Sequence, residues 1–166
     1  MSFVFLILIC VALQRLLELL LANHNTAKLM AQGAQEFGKE HYPLIVLLHA
    51  SWILSLFLFV PSDAPINIPL LLVFVTLQAL RIWVIASLGP YWTTRIISLP
   101  HAPLIMRGPY RFMRHPNYWV VIAEIAVLPL VFGSWEIALV YSFLNAILLR
   151  HRIRIEEQSL ALRVRE

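Results

Sequence analysis

Residues Arg107 to Tyr118, RGPYRFMRHPNY, gather side chains able to bind or move charge: six of the twelve are Arg, His or Tyr. The strip lies between two strongly apolar segments, where polar groups are costly unless they bind something. Pro116 disfavours the α region for His115, so the imidazole is presented from an extended turn at a helix start. The free N–H groups at such a helix end suit a carboxylate or another anion. Arg107, Arg111 and Arg114 alone would read as a basic patch touching anionic lipid headgroups. Gly108, Tyr110, His115, Pro116 and Tyr118 among them favour a binding site.

A second cluster ends the chain, RHRIRIEEQSLALRVRE. Arg152 and Glu156 are four apart and share a helix face, while Arg154 and Glu157 fall on neighbouring ones. In isolation these would be ion pairs on a solvated helix. Gly133-Ser134, however, allows only a very short turn between two apolar runs. The resulting helical hairpin brings the end of the last helix back beside the start of the one before, and Glu156 near His115. A carboxylate there can bind a ligand ammonium group, with an Arg nearby for a ligand anion. Four more charges, Arg15, Glu18, Arg81 and Glu124, lie inside apolar runs, where charge is functional or paired. Arg81–Glu124 or Arg15–Glu18 pairing and a substrate role for Glu124 both remain open. His49 and His41 are equally open between interhelical hydrogen bonds and a substrate site. There is no GxGxxG, Walker loop, HExxH or CxxC, so dinucleotide, P-loop and zinc readings lack support and no metal site is expected.

The elements that must position these groups follow from composition. The chain of 166 residues is 60% hydrophobic and 13% charged, with mean hydropathy +0.78, which fits one integral membrane domain, 1–166. Cys10 is the single cysteine and excludes an internal disulfide framework. Apolar runs predict spans at 2–22, 43–60, 66–88, 116–132 and from 135 past 149. The first has no basic flank or obvious cleavage site and is expected to be retained. Gly33 and Gly38 break the polar segment 23–42, and 89–115 forms a long Pro-punctuated connector. Basic residues fall in 23–42, 89–115 and 150–166, with none in 61–65 or 133–134. The positive-inside rule then predicts an all-α integral membrane protein with five transmembrane helices, its N-terminus outside and its C-terminus cytoplasmic. The charge of +4 thus reports topology, not nucleic acid.

GPYRFMRHPNY, a helical hairpin and then RIEEQSL resemble the isoprenylcysteine carboxyl methyltransferase family, integral membrane enzymes that use S-adenosylmethionine. The general match covers roughly residues 89 to 162. GAQEFGKEHYPLIVLLHASW and LGPYWTTRIISLPHAP look like a narrower bacterial group encoded near type III polyketide synthases, which O-methylates long-chain alkylpyrones or related phenolic lipids. The resemblance implies a cofactor pocket lined by His101, Leu104, Ile105, Tyr110, His115, Pro116, Asn117 and Tyr118. It also implies that Glu156 holds the cofactor's amino group and that Arg152 faces the acceptor oxygen, making Arg152 and His115 the catalytic candidates. Arg152, Glu124, His49 and Trp119 are the candidate acceptor contacts. Two departures from the family pattern are the longer His101–Tyr110 segment, compared with eukaryotic relatives, and Trp119 in place of a small residue after HPxY.

The implied chemistry is in-line transfer of a sulfonium methyl to oxygen. A carboxylate or acidic enol needs little general base, so positioning away from water can supply most of the catalysis. Aromatic faces such as Tyr110 or Tyr118 favour the sulfonium. The expectation is an S-adenosylmethionine-dependent O-methyltransferase of the bacterial inner membrane. Spans 1–88 and the hairpin and C-terminal helix, 116–166, would frame a cytoplasmic pocket closed by 89–115. A lipophilic hydroxypyrone or phenol enters sideways from the bilayer, among membrane lipids. Prenylcysteine carboxylate is the alternative acceptor. Rival readings are an NADPH-dependent reductase of the sterol-reductase type and a membrane scaffold or transporter. Oligomeric state is left open.

Overall fold

The Ser2 Oγ accepts the Phe5 amide at 3.3 Å and starts the first helix, α1 (Phe3–Ala31). The chain was solved as a computed structural model that describes residues 2–100, 102 and 105–163. Residues 23–31 carry polar side chains but no Gly or Pro, so the helix continues through them and stops only before Gly33, at φ +90°. The continuation past residue 22 lengthens α1 by roughly 14 Å. Helices α2 (Tyr42–Phe59) and α3 (Ile68–Leu88) carry Pro in their first turns, a tolerated place for a missing N–H. The Asn67 side chain caps α3 by accepting the Leu70 amide at 3.1 Å. After the connector come α4 (Pro116–Val131) and α5 (Trp135–Arg163), joined at Phe132–Ser134 in the short hairpin expected.

The described chain is mostly helical, and the first three helices are long and apolar enough to cross a membrane. The fourth is apolar but has 16 residues, and α5 is apolar only in its first half. The architecture is consistent with the all-α expectation, with one small addition: β1 (Gln35–Phe37) and β2 (Ile96–Ser98) form a short antiparallel pair, with Glu36 opposite Ile97. Arg95 beside β2 reaches Glu36 at 2.8 Å and lies over the Tyr42 ring at 4.4 Å, which ties the connector to the α1–α2 segment. Single 3₁₀ turns also form within the connector, at Gly89–Tyr91 and Gly108–Arg111.

At one end of the bundle the core packs Leu8, Trp52, Leu56, Phe74, Leu128 and Val131. There the Asn67 amide donates to the Val131 carbonyl at 2.9 Å, joining the two turns expected to lie on one side. At the other end gather the polar segment after α1, the connector and the end of α5. Outward positions such as Leu17, Leu58, Leu72 and Leu139 remain exposed, as suits helices facing hydrocarbon.

Candidate functional site

His115 caps α4 with φ −130° and ψ 61°, outside the helical region, as the following Pro requires. Tyr118, one turn on, stacks its ring on the imidazole at a centroid distance of 5.4 Å. From α5, Glu156 meets both: its Oε1 lies 3.5 Å from His115 Nδ1, and its Oε2 accepts a hydrogen bond from the Tyr118 hydroxyl. One turn earlier, Arg152 donates through Nε to the Tyr118 oxygen at 2.9 Å and through a terminal nitrogen to the Thr94 carbonyl at 2.8 Å. The hairpin therefore brings the two polar clusters into one cross-linked group.

Its electrostatics favour a charged pair. The hydrogen bond to Glu156 raises the His115 pKa above the ordinary imidazole value, more than burial lowers it. Burial pushes the Glu156 carboxyl up, but the hydrogen bonds from His115 and Tyr118 and the charges of His115 and Arg152 outweigh it, so its pKa is lowered. Burial, reinforced by Glu156, raises that of Tyr110 and keeps its phenol neutral.

Two cavities meet at this group. One, about 230 Å³, is polar and lies under the connector, lined by Tyr91, Arg95, Ile105, Tyr110, His115, Glu156 and others. The second, about 290 Å³, is mostly apolar and lies between helices, against Leu16, Leu19, Ile45, His49, Ile53 and Leu148. Trp92, Thr93, Asn117, Tyr118 and Arg152 line both and form the wall between them. Each volume falls below the roughly 300–1,000 Å³ of typical small-molecule sites, whereas the two together fall within it.

Beside the apolar cavity the buried charges form a closed network. Glu18 takes Arg81 at 2.6 Å and Arg15 at 3.0 Å, while Glu124 takes Arg15 at 2.9 Å and Arg81 at 3.1 Å. Gln14 and Gln78 hydrogen-bond into the same network. Two cations and two anions balance, and both suggested pairings occur together.

Of the expected site residues, Ile105, Tyr110, His115, Asn117, Tyr118, Arg152 and Glu156 line the polar cavity, and His49 lines the apolar one. Pro116 is buried at the first position of α4 and serves the helix start. His101 and Leu104 lie outside the described residues. Two expected acceptor contacts are placed elsewhere. Glu124 is not among the residues lining either cavity, because Arg15, Arg81 and Gln78 occupy its carboxylate. Trp119 points outward from α4, at 65% exposure, because it follows Tyr118 and so leaves the face that Tyr118 buries. His41 packs edge-on against His151 at 5.3 Å and is also outside both cavities.

Trp92, Thr93, Thr94 and Arg95 escaped the site reading. Asn25 positions their segment by donating to the Gly89 and Trp92 carbonyls at 3.3 and 2.8 Å. The available signal was YWTTR itself, a polar and aromatic run just after an apolar helix.

This fold and site define a class: a helical membrane protein whose polar, carboxylate-bearing pocket abuts an apolar chamber. Its sequence matches the profile of the isoprenylcysteine carboxyl methyltransferase family over residues 70–162, and the chain belongs to that family. Members of the family are S-adenosylmethionine-dependent membrane methyltransferases. An uncharacterized protein of Bacillus subtilis (strain 168), YpbQ, is 40% identical over 153 residues, covering 89% of this chain and 90% of that protein. An uncharacterized protein of Haemophilus influenzae (strain ATCC 51907 / DSM 11121 / KW20 / Rd) is 25% identical over 169 residues, covering 97% and 96%. No solved structure matches the chain.

The polar cavity suits the family's cofactor. Glu156 offers an anion for an ammonium or sulfonium, and the aromatic walls offer π faces. His115 Nε2 and Asn117 Oδ1 are buried with no hydrogen-bond partner among the described residues, and so remain free for a ligand.

Proposed function

We propose that this protein is an S-adenosylmethionine-dependent O-methyltransferase acting on a lipophilic hydroxylated acceptor, a long-chain alkylpyrone or phenolic lipid. The observation that carries this reading is the wall shared by the two cavities. A charged donor needs the polar side and a lipid tail needs the apolar side, and Tyr118 and Arg152 line both. Five spans, with the N-terminus outside and the pocket at the cytoplasmic face of the inner membrane, complete the proposal.

In this reading Glu156 binds the donor's ammonium group. Tyr110 and Tyr118 present aromatic surface to its positive centre, and His115 and Asn117 offer their free polar atoms. When bound, S-adenosylmethionine supplies an electrophilic methyl group. Arg152, already held by Tyr118 and Thr94, orients the acceptor oxygen at the shared wall. In this reading the connector and the end of α5 keep water from that wall, so alignment and desolvation contribute to the rate. Prenylcysteine carboxylate is the second acceptor considered, because the Arg152 guanidinium suits a carboxylate.

Calorimetric titration of S-adenosylhomocysteine into detergent-purified wild type and Glu156→Gln tests the reading. Micromolar binding by the wild type, lost in the variant, is expected. A folded wild type that ignores this ligand but binds NADPH would replace the methyltransferase with a reductase. Methylation assays with an alkylpyrone and a prenylcysteine acid then separate the acceptors.

A further inference from the structure

We propose that His49 is the base that takes the proton from the acceptor, and that of the acceptors named above the chain therefore takes the phenolic lipid, with its neutral O–H group, instead of a carboxylate or an ionised enol. This rests on the methyltransferase reading above. His49 lies on α2, about 10 Å along the helix from its start at Tyr42, and lines the apolar cavity together with the shared wall. Its Nδ1 is 2.8 Å from the Ile45 carbonyl oxygen. A carbonyl only accepts, so in the neutral ring Nδ1 carries the proton and Nε2 keeps its lone pair. Among the described residues Nε2 has no hydrogen-bond partner.

Asn117 Oδ1 is unpartnered, but an amide oxygen accepts a hydrogen bond without taking the proton, and the other ionisable acceptors around this cavity are engaged. Arg15 and Arg81 hold the Glu18 carboxylate. The Tyr118 hydroxyl lies between Glu156 and Arg152. That leaves His49 as the free base for a hydroxyl entering from the apolar side. A carboxylate would bring no proton and would oppose its own lone pairs to that of Nε2.

The step balances. The acceptor O–H bond breaks and its proton goes to His49 Nε2. The O–CH3 bond forms as the S–CH3 bond breaks, with that electron pair remaining on sulfur. One positive charge leaves the sulfonium and one appears on the imidazolium, so the net charge of a poorly solvated site is unchanged. The charged groups acting on His49 are Arg15 from α1, Arg81 from α3 and Arg152 from α5. Glu18 and Glu124 balance the first two, which limits their repulsion of the imidazolium. The proton returns to water after the product leaves.

The test uses full-length wild type, His49→Gln and His49→Phe. Each is titrated with S-adenosylhomocysteine and then, in its presence, with a long-chain alkylphenol, its methyl ether and a fatty acid of equal length. All three proteins should bind S-adenosylhomocysteine within about twofold of one another. Wild type should prefer the phenol to its ether by about tenfold, a preference absent in His49→Phe. In turnover, His49→Gln should lose about 100-fold or more on the alkylphenol. It should lose only a few-fold on a nitro-substituted alkylphenol that is already ionised. Intact S-adenosylhomocysteine binding with an equal loss on both phenols, or tightest binding of the fatty acid, would overturn the role of His49 and leave the methyltransferase standing. No S-adenosylhomocysteine binding by the wild type would remove both. If the variants fail to fold, ¹⁵N-histidine spectra of the wild type decide: Nε2 should begin unprotonated and respond to the phenol but not to the ether.

Discussion

His115 and Glu156 are the ion pair of the polar cavity, and their opposite shifts define a pH window. Glu156 is lowered from an ordinary value of 4.5, so its contribution is present above that value and is lost as pH falls through the folded pKa. His115 is raised from 6.5, so its contribution is present below that value and is lost as pH rises through its folded pKa. The pair therefore stabilises the site most fully between pH 4.5 and 6.5. Thermal unfolding of wild type against Glu156→Gln should show the largest gap in that window, narrowing on both sides. A gap independent of pH would contradict the ion pair. Arg152, Glu156 and His115 were legible because their spacing and the two-residue turn make them neighbours. Arg95 and Thr94 were not, since their placement depends on a strand pairing across the connector.

At the scale of elements, the strip before α4 is held against α3 by a close approach at Gly108, where φ is +58°. A Cβ there would overlap Ser87 Oγ and sit 2.9 Å from Ser87 Cβ and 3.2 Å from Trp83 Nε1. Gly108→Ala should cost about 1–3 kcal/mol through strain and overlap and should weaken S-adenosylhomocysteine binding by displacing Tyr110. A stability unchanged by this substitution would show that the strip does not dock as described. The charge network makes a second prediction. Arg81→Met leaves Glu18 and Glu124 to share Arg15 as their one cation in the network and should destabilise by about 3–5 kcal/mol. Arg81→Met with Glu124→Leu leaves the 3.0 Å Arg15–Glu18 pair intact and should recover most of that loss. Chemical unfolding in mixed micelles measures both.

For the whole molecule, the proposed five spans require the two ends of the bundle to face opposite sides of the membrane. In a Cys10→Ala background, Lys28→Cys and Glu157→Cys should react with an impermeant maleimide from the cytoplasmic side only. Asp63→Cys should react from the outside. Labelling of Lys28→Cys and Asp63→Cys from one side would sink the five-span arrangement. The polar ends of α1 and α5 and the connector already gather at one end of the fold, through Arg95–Glu36, Asn25–Trp92 and Arg152–Thr94.

The amino-acid sequence by itself determined the helices, the hairpin and the meeting of His115 with Glu156. These depend on local quantities: the length of apolar runs, the Pro and Gly breakers, and side-chain spacing along one helix. It did not determine the end of α1, because polar residues without a breaker can continue a helix as readily as leave it. Tertiary structure alone decided that Arg15, Glu18, Arg81 and Glu124 form one network, since their contacts depend on the relative rotation of three helices. It also decided the β1–β2 pairing and the two cavities with their shared wall. Each depends on groups far apart in the chain, whose distances no spacing along a single segment can set.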